Sequence, residues 1–228
     1  MPRDLTAPLP GGGVAFTDRS DGNMSSVGGD GHEHGAEARS RLCARLGLGG
    51  LARGYQVHGS VVQLVREMPV REPQPGELSD ADGQATALAG LGAMVLAADC
   101  LPVAIGRPGA VAMLHAGWRG LAAGVLAQGV RAVRELPGEG EGEVLAVLGP
   151  CAEPCCYEVG PEVHAALATG QTRTATVDLR ALAREQLRAA GVTEVAELGG
   201  CTICDERFFS YRREGDRAGR QAGVAWLS

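Results

Sequence analysis

Cys100 closes the apolar run "GAMVLAADC" and His115 lies near the end of "AVAMLHAG", so a thiol and an imidazole terminate two strand-like segments. A second imidazole, His58 in "QVHGS", is likewise followed by glycine. Two imidazoles and a thiolate make a donor set for zinc, because each gives a soft or borderline lone pair and three ligands leave a fourth tetrahedral position for water or substrate. The spacings match no local metal-finger pattern, and burial of a cysteine beside satisfied histidines also accounts for these residue types. Cys100 and His115 alone would suit a thiolate–imidazole hydrolase, which has no use for His58. Asp99, beside Cys100, is a carboxylate that could move a proton, orient a ligating group or cap the strand end.

Rigid elements must hold these side chains. "GAMVLAADC", "LPVAIG", "AVAMLHAG" and "EVLAVLGP" are continuously apolar and read as strands buried on both faces. "YQVHGSVVQLV" has the β-branched content of a strand, and "VTEVAEL" and "RQAGVAWL" complete the set. Helical periodicity runs through "AEARSRLCARLGL", "WRGLAAGVLAQGVRAVREL", "GPEVHAALA" and "VDLRALAREQLRAAGV". Residues 17–35, the stretch "REPQPGELSDADGQ" and the Pro-Gly-Glu-Gly-Glu-Gly segment at 137–142 read as loops. The Gly-flanked "GWRG" after His115 is a turn whose backbone can approach a ligand closely. Strands and helices mixed in this order predict an α/β (α+β) fold, a single domain over 1–228 with 1–35 partly loop, and helices layered around a mixed β-sheet.

Composition removes several functions. The 228 residues suffice for one well-buried core. A net charge of −6 supplies no basic field for a phosphate backbone, so nucleic acid is not an expected partner. Every basic residue is Arg and none is Lys, which removes Schiff-base chemistry and a P-loop lysine. No apolar stretch approaches the roughly 18 residues of a membrane span and the amino terminus lacks a secretory h-region, so a soluble, cytoplasmic protein is expected. Seven cysteines in such a chain point to metal binding, catalysis or burial rather than a disulfide framework.

The strings "QVHG", "ADCLPV", "HAGWRGLAAGV", "GPCAEPCCYEVG", "CTICDERFFSYRR" and "AGRQAGVAWL" occur in the order seen in the YfiH-like laccase-domain family, which this chain resembles from about Gly54 to Leu227. The family was formerly called polyphenol oxidase and is now assigned to purine nucleoside phosphorylases. The resemblance implies that His58, Cys100 and His115 ligate a catalytic zinc, with copper as the metal of the older label. It also implies a fold similar to a toxin deamidase, phosphorolysis of adenosine, inosine, guanosine and methylthioadenosine, and hydrolytic deamination of adenosine. Its partners would be purine nucleosides and phosphate, its oligomeric state monomer or weak homodimer.

Within this likeness Asp99 is the candidate for proton handling. Asn23 and Arg41 match positions that would contact substrate, Arg41 forking onto phosphate oxygens, and Arg119 either contacts an anion or anchors its turn. The chain departs from the pattern "NLGxHVGDD", having "NMSSVGGD" instead, with Ser26 near the histidine's position and His32 and His34 in a solvated loop. Cys151, Cys155, Cys156, Cys201 and Cys204 are expected to be reduced thiols near the site's rim, without a second metal, since the first group is not Cys-x-x-Cys. Tyr157, Phe208, Phe209 and Tyr211 could stack on a purine or belong to the core, and Arg212 and Arg213 could pair at the rim or hold anions.

Two other classes of function are open. A copper phenol oxidase would need a histidine-rich cluster beyond the one His-Cys-His set. A non-enzymatic cell-envelope assembly factor would have no use for an open metal position.

Overall fold

The computed structural model describes residues 5–138 and 142–228; residues 1–4 and 139–141, the latter within the expected 137–142 loop, lie outside them. The strands are β1 (Thr6–Leu9), β2 (Gly12–Phe16), β3 (Gly50–Ala52), β4 (Val62–Val65), β5 (Gly83–Thr86), β6 (Leu91–Ala97) and β7 (Leu101–Arg107). They continue with β8 (Ala110–Ala116), β9 (Leu145–Leu148), β10 (Glu158–Val159), β11 (Ala175–Thr176), β12 (Glu194–Glu197) and β13 (Gln221–Leu227). The helices are α1 (Gly35–Leu46), α2 (Trp118–Ala122), α3 (Val125–Glu135), α4 (Pro161–Ala166), α5 (Leu179–Ala189) and α6 (Tyr211–Glu214).

Two mixed sheets, not one, carry the fold. A five-stranded sheet runs β1-β2-β13-β6-β3 and a six-stranded sheet runs β12-β9-β7-β8-β5-β4, while β10 and β11 form a small separate pair. The two large sheets pack face to face through Val95 and Ala225 on one side and Ala104, Met113 and Val147 on the other. α1 covers the outer face of the first sheet, placing Ala38 and Leu42 with Met94 and Val224. α3 and α5 cover the outer face of the second, with Val130, Val133 and Leu187 in one cluster with Val103, Ile105, Ala112 and Leu114. The central runs are continuously apolar because alternate residues enter different cores: Val111 and Met113 face the other sheet, Ala112 and Leu114 the helices.

The expected helix after His115 is two. Gly124, at φ +81°, breaks it between α2 and α3, a conformation that costs a residue without Cβ little. The strand expected from Tyr55 is present only at β4, and His58 lies in the loop before it.

Candidate functional site

Short crossings between the sheets build the site. Residues 98–100 carry the chain from β6 in one sheet to β7 in the other, and residues 53–61 do the same from β3 to β4. In the β7–β8 ladder Leu101 pairs with Ala116 and Pro102 with His115, so Cys100, one place further, faces Gly117. Strand alternation then puts Cys100 and His115 on the side of Ala104 and Met113, at the open end of the space between the sheets. His58 arrives from the other crossing, its ring centroid 4.9 Å from that of His115 at 70°. The ligand atoms of His58, Cys100 and His115 all lie within 4.8 Å of one another. A Cβ at Gly117 would stand 2.8 Å from Cys100 Sγ and 3.4 Å from His58 Cδ2, so only glycine leaves room there.

Both crossings are strained at a site residue, His58 at φ +60° and Asp99 at φ +88°. Such conformations cost on the order of 1–3 kcal/mol each and persist where surrounding bonds impose them. At His58 the bonds come from Asp82, which is fully buried: its carboxylate accepts the backbone N–H groups of His58 (2.9 Å), Gly59 (2.7 Å) and Val57 (3.2 Å). Asp82 Oδ1 also accepts from His115 Nδ1 at 2.9 Å. Asp82 therefore orients both imidazoles, and the "SDADGQ" segment read as surface loop contains this buried group.

Burial opposes charge on Cys100, but the neighbouring His115 and His58 imidazoles outweigh it and hold the thiol at about 6. Burial likewise opposes a charged His115, and the Cys100 thiolate and Asp82 raise it to about 9. Without metal the pair is thus thiolate and imidazolium near neutrality. His58 is exposed, Cys100 half-buried and His115 buried, which opens the group to solvent on the His58 side.

The other expected residues are arranged differently. Asp99 has both carboxylate oxygens occupied, Oδ1 by the Thr202 hydroxyl and Oδ2 by the Arg212 N–H, each at 2.7 Å. Asn23 is buried: its amide donates to the Asp30 carbonyl and its Oδ1 accepts from the N–H groups of Ser25 and Arg220, so it pins its own loop to the start of β13. Arg41 is exposed on α1; the arginine this helix buries is Arg39, bound to Glu72, the Met24 carbonyl and the Ser26 hydroxyl. Two residues along a helix turn the side chain by roughly 200°, so one face cannot serve both. Arg119 is exposed and stacks on Trp118 at 4.3 Å.

Tyr157 is buried with the Arg212 guanidinium 5.0 Å from its ring centre. Burial, and after it the Cys100 charge, pushes its phenol up to about 12. Phe208 and Phe209 are buried, and Tyr211 is exposed against Asp216. Arg213 binds the carbonyls of Thr202 and Ile203. His32 and His34 are exposed around Glu33.

The rim cysteines, expected as reduced thiols, are free, and four of them lie together. Cys155, Cys156, Cys201 and Cys204 bring their sulfurs within 4.8 Å of one another, and this group could hold a metal ion. Cys-Cys on one loop and Cys-x-x-Cys on the next suffice, because the two turns face each other. Cys151 stands apart, buried beneath them, its thiol raised to about 12 by burial.

The sequence matches the profile described as multi-copper polyphenol oxidoreductase laccase over residues 10–228. A Xylella fastidiosa protein named purine nucleoside phosphorylase is 41% identical over 237 residues, covering 96% of this chain and 88% of its own length. A purine nucleoside phosphorylase of Pseudomonas aeruginosa is 39% identical over 206 residues, covering 84% and 79% respectively. Among solved structures, a Neisseria meningitidis protein superposes with a TM-score of 0.81 at 31% identity, covering 99% of both chains.

Proposed function

The chain belongs to the multi-copper polyphenol oxidoreductase laccase family, and on that premise we propose that it is a purine nucleoside phosphorylase whose His58, Cys100 and His115 hold a catalytic zinc ion. The observation that carries the reading is the meeting of those three donors within 4.8 Å, with no fourth His, Cys, Asp or Glu among the described residues joining them. Two imidazoles and one thiolate fit zinc, and Asp82 behind His115 is the carboxylate that such a ligand commonly carries. Bound there, zinc supplies a Lewis acid able to polarise phosphate or activate water.

This chain's own residues do the rest. Asp82 accepts a hydrogen bond from His115 Nδ1–H and leaves Nε2 to face Cys100 and His58. Gly117, lacking a Cβ, leaves the ligand space clear. Arg119, exposed in the helix that follows His115 and stacked on Trp118, offers its guanidinium to phosphate oxygens. Tyr157 remains a phenol and offers its O–H beside Cys100. Asp99 is a positioning residue: through Thr202 and Arg212 it fixes the loop that shapes the rim above Tyr157. Asn23 holds its loop against the start of β13, and Arg41 is exposed on α1.

The substrates are adenosine, inosine, guanosine and methylthioadenosine. A phosphate oxygen bonds to C1′ while the bond from C1′ to the purine nitrogen breaks, and the base leaves with that electron pair and takes a proton. Adenosine deamination to inosine is a second, hydrolytic use of the same site. Multicopper oxidation would draw on many histidines; of the five here, two belong to this trio and His164 is buried, engaged by Thr169 and the Ala175 carbonyl.

Zinc-loaded protein incubated with inosine should release hypoxanthine and ribose 1-phosphate only when phosphate is present, and with adenosine alone should form inosine. Failure to turn over either nucleoside would remove the assignment.

A further inference from the structure

We propose that Cys155, Cys156, Cys201 and Cys204 bind a second zinc ion as a tetrathiolate, a structural clamp separate from the His58–Cys100–His115 site. The sulfurs already form a compact cluster: Cys155 lies 3.4 Å from Cys156 and 3.5 Å from Cys204, and Cys156 lies 3.3 Å from both Cys201 and Cys204. Zinc–sulfur bonds of about 2.3 Å set tetrahedral sulfurs about 3.8 Å apart, so these four pairs need open by only a few tenths of an ångström to admit the ion.

Backbone hydrogen bonds close both cysteine-bearing turns: the N–H groups of Cys156 and Tyr157 donate to the Glu153 carbonyl, and the Asp205 N–H donates to the Cys201 carbonyl at 3.0 Å. Cys155 and Cys204 are exposed, so as free thiols these two would be open to oxidation.

The clamp has a purpose in the fold. It joins the loop after β9 to the loop after β12, segments otherwise tied by a bridge between Cys151 and Cys201 and by the Thr202 N–H on the Cys151 carbonyl. Those loops carry Tyr157 next to one end and Thr202, the partner of Asp99, next to the other. A four-thiolate site leaves no vacant position, so this ion holds the rim in place and performs no chemistry.

Metal content measured by plasma mass spectrometry tests the proposal on zinc-saturated, desalted protein. The wild type should carry two zinc ions per chain, and Cys155→Ser/Cys204→Ser should lose one of them. Cys100→Ala leaves all four clamp cysteines untouched; loaded with cobalt(II) it should show the intense sulfur-to-cobalt charge-transfer absorption of four thiolates, and zinc should protect those thiols from alkylation. A double-serine variant with undiminished zinc, or a Cys100→Ala protein with neither cobalt–thiolate absorption nor zinc protection, overturns the clamp. An unchanged zinc count in Cys100→Ala would instead strike the catalytic site and leave this one standing.

Discussion

Asp82 Oδ1 accepts a 2.9 Å hydrogen bond from Nδ1 of His115, while the same carboxylate receives three consecutive backbone N–H groups from Val57 to Gly59. One buried side chain thus fixes the tautomer of one imidazole and the backbone of the other. Asp82→Asn keeps the shape but turns an acceptor into a donor on one arm. We expect zinc affinity at the three-ligand site to fall about 10- to 100-fold, measured by competition with a chromophoric chelator.

Gly117→Ala tests steric clearance. Its backbone, at φ −69° and ψ 171°, is open to any residue, so only the new methyl 2.8 Å from Cys100 Sγ matters. Overpacking of this kind costs about 1–3 kcal/mol. We expect a modest drop in melting temperature and a loss of at least about tenfold in kcat/KM, read by circular dichroism and nucleoside turnover on the same preparation.

Cys100 at about 6 and His115 at about 9 set the pH behaviour of the metal-free protein. A lowered thiol is thiolate above its pKa and protonated below it. Iodoacetamide labelling of Cys100 in zinc-free protein should therefore rise across pH 6 and be nearly level by pH 7.5, where an ordinary cysteine is still mostly protonated. Mass spectrometry of the labelled peptide over a pH series gives the midpoint, and replacing His115 by Ala should move it upward.

α1 offers a paired comparison. Arg39 is buried against Glu72, Met24 and Ser26; Arg39→Ala leaves the buried Met24 carbonyl without that donor and Glu72 with Arg53 as its remaining partner, and should cost about 1–3 kcal/mol. Arg41→Ala should stay within about 0.5 kcal/mol. Urea titrations of the two variants separate these roles.

The layered fold was legible where burial is symmetrical: β6, β7, β8 and β9 read as strands because both faces meet apolar cores. An unbroken apolar run does not say what covers each face, so the second sheet went unseen, and β1, β2, β3 and β5 are too short or too polar to stand out. Cys100 and His115 were legible because apolar runs end there. His58 was found by type, yet it sits in a positive-φ loop, and Asp82 was hidden in a Gly- and Asp-rich segment that imitates a surface turn. The signal for Asp82 was its place directly before the Gly83 that opens β5. Asn23 and Arg41 were positioned by likeness alone; the Asn23 amide is engaged by Asp30, Ser25 and Arg220, and Arg41 is exposed on α1. Adjacent Cys155 and Cys156 matched no paired spacing, because the facing turn that completes them lies 45 or more positions away.

The most direct test compares wild-type and His58→Ala protein, both folded and equilibrated with zinc, for hypoxanthine release from inosine with and without phosphate. We expect phosphate-dependent release by the wild type and a loss of at least about a hundredfold in the variant, with its bound zinc reduced by one ion per chain. Undiminished release by His58→Ala, or none by the zinc-replete wild type, would contradict a catalytic ion held by His58, Cys100 and His115.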